Sequence, residues 1–226
     1  MSDFTRLLAI LGKHYGPPKR PPARNPFELI LYENIAYLVS DDRREHAFRE
    51  LKQHVGTKPA DLLTASLEEL SRITALGGIF PELRARRLQE AARLVRDEFA
   101  GDLKPVLKLD FTKARKAIAK FPAIGIPGAE KILLFTGAHP SLALESNGVR
   151  VLVRYGFAKE QKSYSTTYRS LQKALAGEVG SQCAPLIAAH QLLKLHGQEL
   201  CRRSEPRCRA CPACQACAFP PSTLPR

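Results

Sequence analysis

Apolar residues recur along this chain at helical rather than strand spacing. Phe4, Leu7, Leu8 and Leu11 make a short amphipathic helix that Gly12 weakens at its end. Asn25, Pro26 and Glu28 have the order of a helix start: a cap, a proline in the first turn and an acid able to reach back. The run FELILYENIAYLVS that follows is apolar almost all round and predicts a buried helix over 27–40. Further helices are expected at 42–54, 59–64, 67–75 behind the Ser66/Glu69 capping pair, and 84–99, where Ala85, Leu88, Ala92, Val95 and Phe99 form one stripe. LGGIF at 76–80 reads as a turn, Asp110 opens a helix over 111–120, and 163–177 and 185–200 give two more. No strand pair and no repeat of fixed period is found, so the expected class is all-α.

Two stretches break the helical pattern. GPPKRPPARNP at 16–26 has too many prolines for regular structure and reads as an extended connector or a basic arm. FPAIGIPGAEKILLFTGA at 121–138 reads as a helix stop, a short hairpin and a new helix carrying Ile132, Leu133 and Phe135. Backbone N–H groups around Gly125 would then face solvent unpaired, and a DNA phosphate could satisfy them without sequence preference.

Charge narrows the class of partner. Lys and Arg number 35 against 22 acidic residues, a formal charge of +13, which favours a polyanion such as nucleic acid over a small neutral substrate. A merely basic, soluble protein is the plain alternative. Helix 111–120 carries Lys113, Arg115, Lys116 and Lys120, so one side of it should be basic. No stretch is apolar enough to cross a bilayer, and Met1 to Gly16 lacks the features of an export signal. A soluble, cytoplasmic protein of one or two small domains is expected.

The cysteines add specific chemistry. Five of the six fall between Cys201 and Cys217, and Cys201, Cys208, Cys211 and Cys217 are spaced C-x6-C-x2-C-x5-C. Four soft sulfur donors suit an iron–sulfur cluster or zinc. A zinc ribbon separates its two C-x-x-C pairs by a long hairpin, so a [4Fe-4S] cluster on these four is the favoured reading, with Cys214 spare. Disulfides would need an oxidising compartment.

Glu33 shares a helix face with Leu29, Ile30, Ala36 and Tyr37. A carboxyl in such company loses solvation, and Glu33 is either a satisfied structural acid or a proton donor lining a cleft.

Three stretches together resemble the helix-hairpin-helix DNA glycosylases related to endonuclease III and the adenine glycosylases. LKLHGQELC with the cysteine spacing is similar to that family's iron–sulfur motif, FPAIGIPGA to its hairpin, and ALESNGVRVLVR at 143–154 to the segment carrying the catalytic acid and then an Arg, here Arg150. The likeness extends over most of residues 25–217. It implies two helical lobes: a six-helix barrel over 27–139 ending in the helix-hairpin-helix, and a discontinuous lobe from 1–26 and 140–226 bearing the cluster. It further implies double-stranded DNA with a damaged or mispaired base as partner, a flipped nucleotide and cleavage of its glycosidic bond by a monomeric, nucleoid-associated enzyme of bacterial or archaeal type. Candidate phosphate contacts are the hairpin residues Ala123, Ile124, Gly125, Pro127 and Gly128, together with Asn147, Arg150 and, beside the cluster loop, Arg203 and Arg207.

Two positions depart from the family pattern. Where the bifunctional branch has its lysine stands Pro127, which has no amine to form a Schiff base, so β-elimination by that route is not expected. Where the family has Asp stands Glu145, one methylene longer, which retains the charge but moves it by about an ångström. The place of Glu33 resembles that of the general acid of the adenine glycosylase branch, and Asn147 follows Glu145 at the offset seen there. The resemblance thus implies a monofunctional glycosylase, with Glu33 protonating the departing base and Glu145 facing the sugar. Tyr37 and His139 are candidates for the base pocket, His190 and His196 for structural roles, and Cys183 for a buried thiol. A lesion-binding protein without turnover and an iron–sulfur redox sensor on DNA are the alternative readings.

Overall fold

The computed structural model describes residues 2–219. Its elements in chain order are α1 (Asp3–Tyr15), α2 (Pro26–Asn34), α3 (Asp41–His54), α4 (Pro59–Thr64), α5 (Leu67–Leu76), α6 (Pro81–Glu98), α7 (Phe111–Ile118), α8 (Ile126–Phe135), α9 (Ser146–Tyr155), α10 (Tyr164–Leu175) and α11 (Cys183–Glu199). Short 3-10 turns lie at Pro105–Lys108, Cys208–Ala210 and Cys214–Ala216. Among the described residues the sole β pairing is an isolated bridge between Tyr37 and Gly78, and no helix is long and apolar enough to cross a membrane.

The chain divides into two compact units, one formed by Arg20–His139 and the other by Met1–Lys19 with Pro140–Arg226. In the first, α5 and α4 pack on α6, α3 on α5, and α2 on α6, α3 and α8. Their apolar faces make one core in which Ile30, Leu31, Ile35, Phe48, Leu51, Leu62, Leu88 and Ile132 are fully buried. In the second, α9 and α1 pack on α11 and α10 packs on α9, burying Leu7, Leu11, Leu152, Leu171 and Leu193.

Side-chain caps set the helix starts. Asn25, Ser40, Ser66 and Asp110 each accept the N–H three residues on, supplying one of the partners that a helix N-terminus lacks. Glu28 does reach back, but to the N–H of Arg24 rather than to that of the cap, and it also accepts from Lys52 Nζ and Thr57 Oγ1. It is 4% exposed. Burial alone would raise the pKa of this carboxyl, yet these donors bring it below its ordinary value.

Two expectations change. The buried helix expected over 27–40 ends at Asn34, because the segment after it turns away to pair Tyr37 N–H with Gly77 O and takes a left-handed backbone at Leu38, φ 56°. Tyr37 is therefore not on a buried helix but 53% exposed. The first helix runs through Gly12 to Tyr15, since Gly12 faces Leu192 of α11 across an ordinary contact distance.

Candidate functional site

In the discontinuous unit the chain enters α9 through Glu145, whose side chain caps the helix. Glu145 Oε1 accepts from Gly148 N at 2.9 Å and Oε2 from Asn147 Nδ2 at 2.9 Å. Asn147 Oδ1 in turn accepts from Arg150 Nη2 at 2.6 Å, and Arg150 also donates to Gly197 O and Cys201 O, each at 2.8 Å. Close approach of α11 makes this possible: a Cβ on Gly197 would lie 2.6 Å from Asn147 Cβ. One polar chain thus joins a partly exposed carboxylate at a helix N-terminus to the backbone of the first clustered cysteine. Sequence pointed to Glu145, Asn147 and Arg150 separately; that they form one connected set is new. Tyr164 OH donates to Leu144 O beside them, and burial, with the Glu145 charge, pushes this phenol up to about 12.

Five cysteines of this unit, Cys201, Cys208, Cys211, Cys214 and Cys217, rim one pocket with Arg154, Tyr155 and His196. Among the described residues no three His, Cys, Asp or Glu side chains meet closely enough to hold a single metal ion. A soft donor set spread around a cavity suits a multi-iron body, so the residues present fit a [4Fe-4S] cluster. Arg154 Nη1 lies 3.6 Å from Cys201 Sγ, and its guanidinium also donates to the carbonyls of Arg202 and Arg203. Burial raises the Cys211 thiol to about 11, with the neighbouring thiols adding to it. His196, expected to be structural, has Nε2 3.5 Å from Cys211 Sγ and Nδ1 3.1 Å from Tyr15 OH. Burial, and then His14, bring its pKa down to about 4. Arg203 and Arg207 are exposed beside the loop. His190 hydrogen-bonds Ala143 O at 2.7 Å inside the unit, while Cys183 is half-buried rather than buried.

In the other unit, α8 starts at Gly125 with no side-chain cap, after Ala123 at φ 59° and a turn closed by Ile124 N to Phe121 O. The first-turn N–H groups have no intrahelical acceptor, and the residue that lacks one altogether is Pro127. His139, at the end of this segment, packs its ring 5.6 Å from Phe111, with Nε2 buried and lacking a hydrogen bond.

Glu33 departs from expectation in its surroundings. Its Oε1 lies 2.6 Å from Lys131 Nζ on α8 and 3.8 Å from Arg44 Nη1 on α3, and its side chain is 20% exposed. Two cations face it where apolar company was expected, because α3 and α8 close on α2 from positions distant in sequence. The basic side expected on α7 is likewise partly neutralised, with Lys113 paired to Asp110 and Arg115 to the buried Glu130.

A feature sequence reasoning missed is an apolar rim near Tyr37. Leu38 is 76% exposed and Phe80 61%, both with φ 56°, and Ile79 and Leu83 are exposed beside them. The buried Arg84 stitches the two loops together, donating to Ile35 O at 2.5 Å, Gly78 O at 2.6 Å and Ile79 O at 2.9 Å. Gly77 allows the approach, since a Cβ there would stand 2.2 Å from Ile35 O. The signal available in sequence is a pair of glycines between apolar residues, which by itself predicts only a turn.

No family model matches the chain. It is 23% identical over 193 residues to endonuclease III of Bacillus subtilis, covering 85% of this chain and 81% of that protein. With endonuclease III of Rickettsia conorii it shares 29% over 215 residues, covering 95% and 94%. A solved non-covalent endonuclease III–DNA complex superposes with a TM-score of 0.77 at 21% identity, over 97% of both chains. The all-helical architecture, and sequence shared over most of its length with these relatives, make this chain similar to the endonuclease III-like helix-hairpin-helix glycosylases.

Proposed function

We propose that this protein is a base-excision DNA glycosylase that releases a flipped, damaged or mispaired base by hydrolysis, acting as a monomer on double-stranded DNA in the cytoplasm. The observation that carries the reading is the carboxylate of Glu145, partly exposed at the N-terminus of α9 and held by Gly148 N–H and Asn147. A charge fixed in this way can stabilise the cation that develops on the sugar as the base leaves, without reorganising as it does so. Glu33 delivers the proton to the departing base and regains it from water, while Lys131, with Nζ 2.6 Å from Glu33 Oε1, fixes the position of the carboxyl. Pro127 contributes no amine, so the base-release step belongs to water.

Phosphates are bound by the uncapped first turn of α8 around Ala123, Ile124, Gly125 and Gly128, and by Arg203 and Arg207. The exposed Leu38 and Phe80 suit insertion into the base stack, and Tyr37 and His139 suit contact with the extruded base. Cys201, Cys208, Cys211 and Cys217 would hold the [4Fe-4S] cluster, which ties the 201–217 loop to its unit and supplies no group to the bond being cut. Iron and sulfide analysis of the purified protein tests that assignment, and stoichiometric zinc in their place would remove it.

A second reading, a lesion-binding protein without turnover, draws on the same contacts, since both oxygens of Glu145 already accept hydrogen bonds, Oε1 from Gly148 N–H and Oε2 from Asn147 Nδ2. The two separate when duplexes carrying a panel of altered bases are incubated with the wild type, Glu145→Gln and Glu33→Gln. Excision predicts free base from the wild type, a loss of about 10²-fold or more in either variant and near-unchanged binding. Tight lesion binding with no base released from any duplex would establish the binder.

A further inference from the structure

The cysteine loop contains one turn twice, CRAC at 208–211 and CQAC at 214–217. Each is a 3-10 turn closed by the N–H of its second cysteine onto the carbonyl of its first, Cys211 N to Cys208 O and Cys217 N to Cys214 O, both at 3.2 Å. Cys214 N donates to Cys211 O at the same distance, so the join between the copies repeats the bond. Residues three apart eclipse one another in such turns. Cys208, Cys211, Cys214 and Cys217 are accordingly half-buried and line the pocket, while Arg209, Ala210, Gln215 and Ala216 between them are exposed. Burial and then Cys214, ahead of Cys201, raise the Cys208 thiol, so Cys214 is the sulfur that Cys208 feels most strongly. With Cys201 the pocket has one thiol more than a [4Fe-4S] cluster takes. Backbone geometry does not single out the fifth. Three sulfurs at C-x2-C-x2-C spacing hold one such cluster in the ferredoxin run, and Cys211, Cys214 and Cys217 have that spacing without Cys208.

We propose that Cys208 and Cys214 alternate as one ligand of the cluster, beside the constant Cys201, Cys211 and Cys217. The inference rests on the reading above that this loop holds a [4Fe-4S] cluster. In the exchange the Cys214 sulfur takes the iron and its proton passes to the departing Cys208 sulfur. One iron–sulfur bond forms, one breaks, and no electron is transferred. Loss of either thiol to oxidation or alkylation then leaves a full set of four. The 201–217 loop, with Arg203 and Arg207 exposed on it, stays tied in place.

The test treats the full chain, purified without oxygen, with iodoacetamide under native conditions and maps the label in molecules that keep their iron. Wild type should carry label on Cys214 in some iron-bearing molecules and on Cys208 in others, never on both. Cys208→Ala and Cys214→Ala should each retain about four irons per chain and the visible absorption of the cluster, with Cys214 protected from label in Cys208→Ala. The double variant Cys208→Ala/Cys214→Ala should lose most of its iron. Label confined to Cys214 in iron-bearing wild type would overturn the alternation without requiring any variant to fold, and would leave the cluster assignment standing. An iron-bearing Cys208→Ala in which Cys214 still takes label, or a double variant with its iron intact, would overturn it as well. Wild type lacking iron and sulfide removes the alternation and the cluster together.

Discussion

Replacing Arg84 by methionine should destabilise the Arg20–His139 unit by about 3–5 kcal/mol. Arg84 is 2% exposed, and its guanidinium is the donor to three carbonyls, those of Ile35, Gly78 and Ile79, from two separate loops. A buried carbonyl stripped of its donor costs about 1–3 kcal/mol. The Ile79 carbonyl sits in an exposed segment and can turn to water, so the sum falls short of three full penalties. Methionine preserves most of the apolar stem, which confines the effect to the lost hydrogen bonds. Lysine should recover about half, since one ammonium cannot span three acceptors as a planar fork does. Urea unfolding of the variants reads the loss. The same stitch holds Leu38 and Phe80 in left-handed conformations that cost about 1–2 kcal/mol each. Duplex affinity of Arg84→Lys should therefore fall more than its stability does. A loss under about 1 kcal/mol in Arg84→Met would refute the view that these carbonyls depend on Arg84.

Other consequences follow from single contacts. Glu28→Gln should cost about 2–4 kcal/mol by leaving Lys52 and the Arg24 N–H with a neutral partner. Because the folded pKa of Glu28 is depressed, its contribution is fully present above the unfolded carboxylate value and is lost as pH falls through the folded one. Acid unfolding monitored by circular dichroism should accordingly start at higher pH in Glu28→Gln than in the wild type, and coincident curves would contradict this. Arg150→Ala removes the donor shared by Asn147, Gly197 and Cys201, and should lower base release by about 10²-fold while loosening the 201–217 loop to proteolysis. Arg203→Ala and Arg207→Ala should each reduce the log–log salt slope of duplex binding by about 1 and leave melting unchanged.

The helices were legible in sequence wherever a cap and an apolar stripe coincide, as at Ser66 with α5 and Asp110 with α7. α2 stopped short of the expected end because the helical preference of residues 35–40 yields to a long-range tie, Tyr37 to Gly77 and Arg84 to Ile35. No local pattern encodes that tie. α9 is not among the helices that the sequence pattern predicts, its residues standing out only as a motif. The cysteines are legible through spacing, which survives in one dimension, and the Glu145 segment through its resemblance to the family. What surrounds Glu33 is not, since Arg44 and Lys131 reach it from other helices, and a buried arginine such as Arg84 has the same letter as an exposed one. His196 shows the same limit: its position on α11 was evident, its contact with Cys211 was not.

The account stands most directly on whether base leaves DNA. With protein in excess over a panel of lesion duplexes in a single turnover, the supernatant can be assayed for free base by mass spectrometry. This readout is independent of strand cleavage. Release of one class of base by the wild type, abolished in Glu145→Gln with duplex affinity retained, is the predicted result. Equal release by Glu145→Gln, or none by the wild type from any duplex it binds, would contradict the account.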